Sequence, residues 1–253
     1  MRELFEKLFK CFDAAKMSEY SHFVSMKGCE YKDSNKIKLF VIGRAVNGWT
    51  QLCTDSACAF AEAAEAQFQA DGFTWIGKEN GKFFSKHEES KEARYFLSKS
   101  PFWRTIEQIW NKMNDNDFSI PVNARFFDYI AWSNLYKVAP KEGGNPSNCM
   151  CKAQLDICRE ILEAEIEAYK PTHILLITDY DKWFANEGYD FSEIFEEKNR
   201  IGSNYKNKFI YVEGTARYRF GEKMIPVVVS CRPERRNEEA FVKAVAGALT
   251  ELR

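Results

Sequence analysis

Three places in the chain set chemically capable side chains directly after an apolar run. The first is Gly43, Arg44, Asn47, Gly48 and Trp49, which follow the run 36–42. Two glycines let a turn present backbone N–H groups to an anion, but the spacing is not G-x-G-x-x-G and lacks the Lys-Ser/Thr of a phosphate loop. An ordinary strand-to-helix turn accounts for the same residues. The second is Trp132-Ser133-Asn134-Leu135-Tyr136-Lys137, followed by Pro140. An Asn amide carries both donor and acceptor, so Asn134 can read a base edge or clamp a loop through its backbone. The third is Cys231, Arg232, Pro233, Glu234, Arg235 and Arg236, after the run 225–230. It closes a stretch, 200–236, in which nine Lys and Arg stand against three acids, interleaved with Tyr205, Phe209, Tyr211, Tyr218 and Phe220. Cations beside aromatic rings suit phosphate contact and base stacking, while a solvated charged face is the plainer use of the same residues.

His and Cys supply no comparable cluster. His22, His87 and His173 form no metal or catalytic pattern, and His173 opens an apolar run after Pro171, a structural position. The eight cysteines show no C-x-x-C. Cys149-Met150-Cys151, beside Gly143-Gly144 and Pro146, is the pair-like arrangement and is assigned to a loop. No metal and no cofactor are therefore expected, and most thiols should be small buried hydrophobes in a reducing compartment. No apolar window nears the roughly 18 residues of a membrane span. The opening Met1-Arg2-Glu3-Leu4-Phe5-Glu6-Lys7 mixes acids with bases, so no signal segment is expected either and the expected location is cytoplasmic.

The elements that must carry these residues can be read from the apolar pattern. A helical stretch within 1–35 precedes a buried strand over 36–42, an alanine-rich helix over 58–68 that stops near Gly72, and a helix over 101–110 whose aromatic stripe reads as core. A second strand spans 125–136, and a Pro/Gly/Asn-rich loop leads to a helix from about 152 to 169, ended by Pro171. Strands at 173–178, 208–213 and 225–231 and an amphipathic helix at 238–252 complete the pattern. Buried strands alternating with helices predict a three-layer α/β/α sandwich with a mainly parallel central sheet, in a single domain over 1–253 with 1–35 as an N-terminal helical extension. In such a sheet ligands bind at the carboxyl ends of strands, where all three clusters fall. The chain has 36 Lys and Arg against 37 Asp and Glu. A net charge of −1 supplies no global field for a polyanion, so any such partner must meet a local basic patch. A composition that is 45% hydrophobic and 29% charged excludes a disordered, collagenous or coiled-coil chain.

The order of the pieces resembles the uracil-DNA glycosylase superfamily. Asn134-Leu135-Tyr136-Lys137 with Pro140, the Pro/Gly/Asn loop, Cys158 in a helix continuing Glu163-Ala164-Glu165-Ile166, and Lys170-Pro171-Thr172-His173-Ile174-Leu175-Leu176-Ile177 resemble its central block. The strand entering Gly43 looks like its first motif, and Val227-Val228-Val229-Ser230-Cys231-Arg232-Pro233 like its last strand and His-Pro-Ser loop. The resemblance covers roughly residues 36 to 245 and lies in order and spacing more than in identities.

The resemblance implies DNA, or a nucleobase or nucleotide ligand, as partner, with no membrane and no metal. Asn134 would read a flipped base beside Gly43, Trp49 or Phe60 would stack on it, and Arg232 would stand where the family carries His. Arg44, Lys137, Arg235 and Arg236 would contact the nucleic-acid backbone. The water-positioning place of the first motif falls on Arg44 or Ala45, neither of which orients water as a carboxylate does. Asn47 serves that role only if the loop is rebuilt by an insertion. Iron-sulfur members need four Cys, and Val138 stands where one would follow the Lys, so no cluster is expected. Three functions remain open at this point. One is a glycosylase-like protein hydrolysing an N-glycosidic bond, and another is a non-catalytic nucleic-acid or nucleotide-binding module of the same fold. The third is an unrelated α/β protein whose Gly43 loop holds a small phosphorylated ligand.

Overall fold

The computed structural model describes residues 1–12, 19–45, 56–79, 82–85, 96–114, 120–121, 125–186, 189–203 and 205–252. Apart from the first, the α-helices begin where a short polar side chain accepts from a free N–H group of the first turn. Ser56 starts α2 (Ala57–Gln69), Ser100 with Pro101 starts α3 (Pro101–Met113), Ser147 starts α4 (Asn148–Tyr169) and Asn237 starts α5 (Glu238–Glu251). The cap at Ser147 begins α4 before Lys152, so Cys149 and Cys151 lie in its first turn rather than in the loop expected for them. Lys170, with a left-handed backbone (φ 48), ends that helix ahead of Pro171. Of the first 35 residues, α1 (Arg2–Lys10) is helical, while β1 (Tyr20–His22) and β2 (Met26–Lys27) are short strands.

The central sheet has seven strands. Its middle comprises β3 (Leu39–Ala45), β6 (Ile130–Tyr136), β8 (His173–Ile177) and β11 (Lys223–Ser230). They lie in the order β6-β3-β8-β11, every neighbouring pair parallel. The remaining strands are β4 (Ile76–Glu79) and β5 (Lys82–Ser85), which pair as a separate hairpin, β7 (Val138–Pro140), which pairs with β1, and β9 (Glu196–Arg200) and β10 (Val212–Phe220). At the edges the sheet turns antiparallel, with β2 on β6 at one side and β10 then β9 beyond β11 at the other. The strand expected at 208–213 begins only at Val212 and returns to β11 through Gly221 (φ 58), because this is a hairpin arm and not another parallel strand. The strand expected at 125–136 begins at Ile130 after a one-turn helix at Phe126–Asp128.

Alternation along the buried strands divides the core into two layers. Phe40, Ile42, Ile174, Leu176, Val227 and Val229 face α1, α2 and α4. Leu39, Val41, Leu175, Ile177 and Val228 face α3 and α5. The chain is thus α/β, with helices on both faces of a mixed, centrally parallel sheet. Parallel pairing brings the carboxyl ends of β3, β6, β8 and β11 to one edge, and with them Arg44, Asn134, Thr178, Asp179, Cys231 and Arg232.

Candidate functional site

Gly43 and Asn134 are register partners across β3 and β6. A Cβ on Gly43 would lie under 3.0 Å from Asn134 Oδ1 and 3.5 Å from its Cγ, so the missing side chain at 43 is the space that the Asn134 amide occupies. Asn134 is only 3% exposed, and its Nδ2 has no hydrogen-bond partner among the described residues. Leaving a buried amide donor unmade costs about 1–3 kcal/mol. An acceptor from a ligand would remove that penalty. The two residues that sequence spacing set at separate strand ends are therefore one feature.

Behind Asn134 lies a charged network with no solvent access. Lys137 and Glu165 are both 0% exposed and form an ion pair at 2.9 Å. Lys137 Nζ also donates to Ser133 Oγ (2.5 Å) and to the Asn134 carbonyl (2.7 Å), while Ser133 Oγ donates to Glu165 Oε2 (2.7 Å). Gln154 of α4 accepts from the backbone N–H of Lys137 (3.0 Å) and Val138 (2.9 Å) and donates to the Val138 carbonyl (2.8 Å). The backbone contact expected of Lys137 is corrected by this geometry. Its ammonium points into the protein, where it holds the backbone of the residue expected to read a base.

Arg44 is likewise engaged internally. Its guanidinium pairs with the Asp179 carboxylate, donates to the Thr178 carbonyl (3.2 Å) and lies 5.7 Å over the Trp183 ring. Burial pushes its pKa down to about 10, and the like charge of Arg232 adds to the effect. Arg44 is thus a half-buried anchor for Asp179, not a free phosphate contact, and its neighbourhood includes Arg232. Asp179 was missed in the sequence. It is buried, immediately follows β8 and Thr178, and has φ 61 and ψ 139, a combination that strains a residue with a side chain. The signal that could have found it is an acid placed just past an apolar strand at the ligand-binding edge. Glu213 of β10, also buried, accepts from the Tyr180 N–H (2.7 Å) and so fixes the turn that follows Asp179.

The basic stretch divides into spent and free charges. Arg200 pairs with Asp181 (2.5 Å), Arg217 with Glu197 (3.0 Å), Arg219 with Glu196 (2.7 Å), and Arg232 with Glu234. Arg235 is exposed, with a left-handed backbone (φ 61), and Arg236 donates to the Lys208 carbonyl (3.0 Å). That bond joins the loop after β11 to the loop before β10, where Tyr205 and Phe209 are exposed. Tyr218, by contrast, is buried.

Phe60 does not reach this edge. It is 1% exposed and packs with Phe5, Phe9 and His22 beneath α1, so the stacking expected of it is corrected to a core role. Asn47 and Trp49 lie outside the described residues. A cavity of about 210 Å³ lined by Phe83, Leu97, Trp103, Arg104, Glu107 and Phe127, among others, sits by the turn that precedes β6, at the far end of that strand from Asn134. Among the described residues no group of three or more His, Cys, Asp and Glu is placed to hold a metal ion. No helix among them is long and apolar enough to cross a membrane. A scan against protein-family models and a search of curated proteins return no match for this chain.

Proposed function

We propose that this chain is a uracil-DNA glycosylase-like nucleic-acid-binding protein that receives a base at the carboxyl edge of its sheet and reads it with Asn134. One observation carries the proposal: a buried amide, whose Nδ2 has no hydrogen-bond partner among the described residues, lies over a residue that has no side chain, with its backbone held by Lys137. A donor in that state suits a base carbonyl, and the surrounding order of strands and loops is the one on which the family resemblance rests. Binding of oligonucleotides that carry one uracil or hypoxanthine, against the same sequence without it, tests the reading. Asn134→Ala is expected to abolish the difference between the two. Equal affinity for all oligonucleotides in the unaltered protein would overturn it.

Hydrolysis of the N-glycosidic bond is a second reading, favoured by Asp179. Of Arg44 and Ala45, on which the first-motif place of the resemblance falls, neither accepts a proton, but Arg44 holds a strained carboxylate, Asp179, at the same edge of the sheet. Release of free base that disappears in Asp179→Asn, with binding retained, would establish catalysis. Binding without release assigns the chain to the non-catalytic class.

A further inference from the structure

Among the described residues the exposed large hydrophobic side chains are Ile201 (55%), Tyr205 (62%) and Phe209 (69%), all in the loop 201–211 between β9 and β10. An exposed aromatic ring is ordinary by itself, but two on one short loop beside unpaired cations are not a usual solvated face. Lys182 lies 5.3 Å over the Tyr205 ring, and Lys208 lies 5.3 Å over the Phe209 ring. Lys206 is on the same loop, and Arg236 and Arg235 arrive through the Arg236 bond to the Lys208 carbonyl. None of these cations forms an ion pair among the described residues, in contrast to Arg200, Arg217, Arg219 and Arg232.

The loop is braced so that its rings stay outward. Ser203 accepts from the backbone N–H of Asn207 (3.1 Å) and, through its hydroxyl, from that of Tyr205 (3.3 Å). Asn207 accepts from Phe209 N–H through its side chain (3.0 Å) and from Ile210 N–H through its carbonyl (3.0 Å). Ile210 packs on Gly202, where a Cβ would lie 2.6 Å from its Cδ1. Tyr211 anchors the loop's end against Phe241 of α5, and Cys231 N–H donates to its carbonyl (3.1 Å). Aromatic rings held out on a fixed frame between cations present faces to bases and charge to phosphates at the same spacing scale.

We infer that the loop 201–211, with Lys182, Arg235 and Arg236, is a binding face for single-stranded nucleic acid, on which Tyr205 and Phe209 each stack a base. The inference deepens the base-reading proposal, because it supplies the polymer from which Asn134 takes its base. Stacking favours single strands because a paired base has both faces already covered. It is tolerant of sequence because every base has a π face.

Fluorescence anisotropy with a labelled single-stranded oligonucleotide of natural bases, and with the matching duplex, tests the assignment on the full chain. The single strand is expected to bind more tightly, with log K falling against log salt at a slope of about −3.5 if Lys182, Lys206, Lys208, Arg235 and Arg236 each engage a phosphate. Phe209→Ala and Tyr205→Ala should each weaken it about tenfold, and Lys206→Gln should lower the slope by about 0.7. Because both rings are exposed, these variants should keep the thermal midpoint of the parent, so that loss of binding is not loss of fold. Unchanged single-strand affinity in both aromatic variants overturns the inference. So does a shift in sedimentation on Phe209→Ala without any change in oligonucleotide binding, which would assign the face to a second copy of the chain. Asn134→Ala separates the two proposals: single-strand binding that survives it while base discrimination never existed refutes the reading of Asn134 and upholds the face.

Discussion

Replacing Gly43 with alanine tests the contact on which the proposed reading of a base by Asn134 depends. Gly43 does not adopt a positive φ, so its requirement is space and not backbone freedom. Alanine there restricts the unfolded chain, a gain of about 0.4–1 kcal/mol. Against this, its Cβ overlaps Asn134 Oδ1, and overpacking of this kind costs about 1–3 kcal/mol. The Asn side chain is short enough to swing aside, which places the cost near the low end, about 1 kcal/mol, so the net loss is at most about 0.6 kcal/mol, or about 1–2 °C in Tm. In an Asn134→Ala background the obstacle is gone, and the nearest remaining backbone atom, the Ser133 carbonyl oxygen, is at an ordinary 3.8 Å. There Gly43→Ala should change sign and stabilise by about 0.4–1 kcal/mol. Urea unfolding of the four proteins, at equal m-values, gives the coupling directly, expected at about 1 kcal/mol, the cost of the clash itself. An additive cycle, with the same loss in both backgrounds, would refute the packing argument. The binding arm is equally sharp: Gly43→Ala should lose uracil discrimination as fully as Asn134→Ala does, because the amide has been pushed out of place rather than removed.

Lys137→Met should destabilise by about 3–5 kcal/mol by leaving Glu165 charged and buried, whereas Lys137→Met with Glu165→Leu should recover most of that loss in urea unfolding. A single variant as mild as the double would show that the pair carries no net electrostatic role. Asp179→Gly should be less damaging than Asp179→Ala by about 1 kcal/mol, since both lose the Arg44 partner but only glycine relaxes the φ of 61. Equal Tm values for the two would remove the claim of strain. Burial pushes the Cys151 thiol up to about 11 and the Cys158 thiol to about 12. An unfolded thiol ionises at about 8.5, so above that pH the folded chain holds more protons and its stability falls as pH rises, by about 1.5–2 kcal/mol per thiol between pH 8 and pH 10. Cys158→Ala should flatten the stability profile over that interval by this amount, and an unaltered slope would contradict the burial account.

How much of this was legible in the sequence follows from what each residue must satisfy. β3, β8 and β11 announce themselves because strands covered on both faces must be apolar throughout. β9, Glu-Glu-Lys-Asn-Arg, is exposed along its length and carries no apolar signal, and β10 alternates Arg217 and Arg219 with the buried Ala216 and Tyr218. The antiparallel edge was therefore read as one short strand in the wrong place. Gly43 and Asn134 were found because strand ends are where sheets bind ligands, but their contact belongs to the register between β3 and β6, which sequence does not display. Lys137 was misread for a related reason. A lysine is normally solvated, and its partner lies 28 residues on, at Glu165 in α4. The available sign was that Glu165 shares a helical face with the buried Cys158, Ile161 and Leu162, where an acid needs a counter-charge.

Charge compensation divides the carboxyl edge into two parts with different work. Inside it, Lys137 with Glu165 and Arg44 with Asp179 are neutral pairs that hold the ends of β6 and β8 in place, and they contribute no field at the surface. On the rim, Arg200 and Arg232 are matched by Asp181 and Glu234, while Arg217 and Arg219, paired with Glu197 and Glu196, lie toward the opposite edge, leaving Lys182, Lys206, Lys208, Arg235 and Arg236 without ion-pair partners among the described residues. A net charge of −1 for the whole chain does not cancel that cluster. At physiological salt the screening length is about 8 Å, so acids elsewhere on the surface act weakly on a phosphate bound at the loop 201–211. Near-neutrality thus removes long-range, indiscriminate attraction while leaving a short-range one. If the two proposals hold, affinity for a strand comes from the rim and discrimination between bases from Asn134, so rim variants should change binding to all sequences alike and Asn134 variants should change only the difference between them.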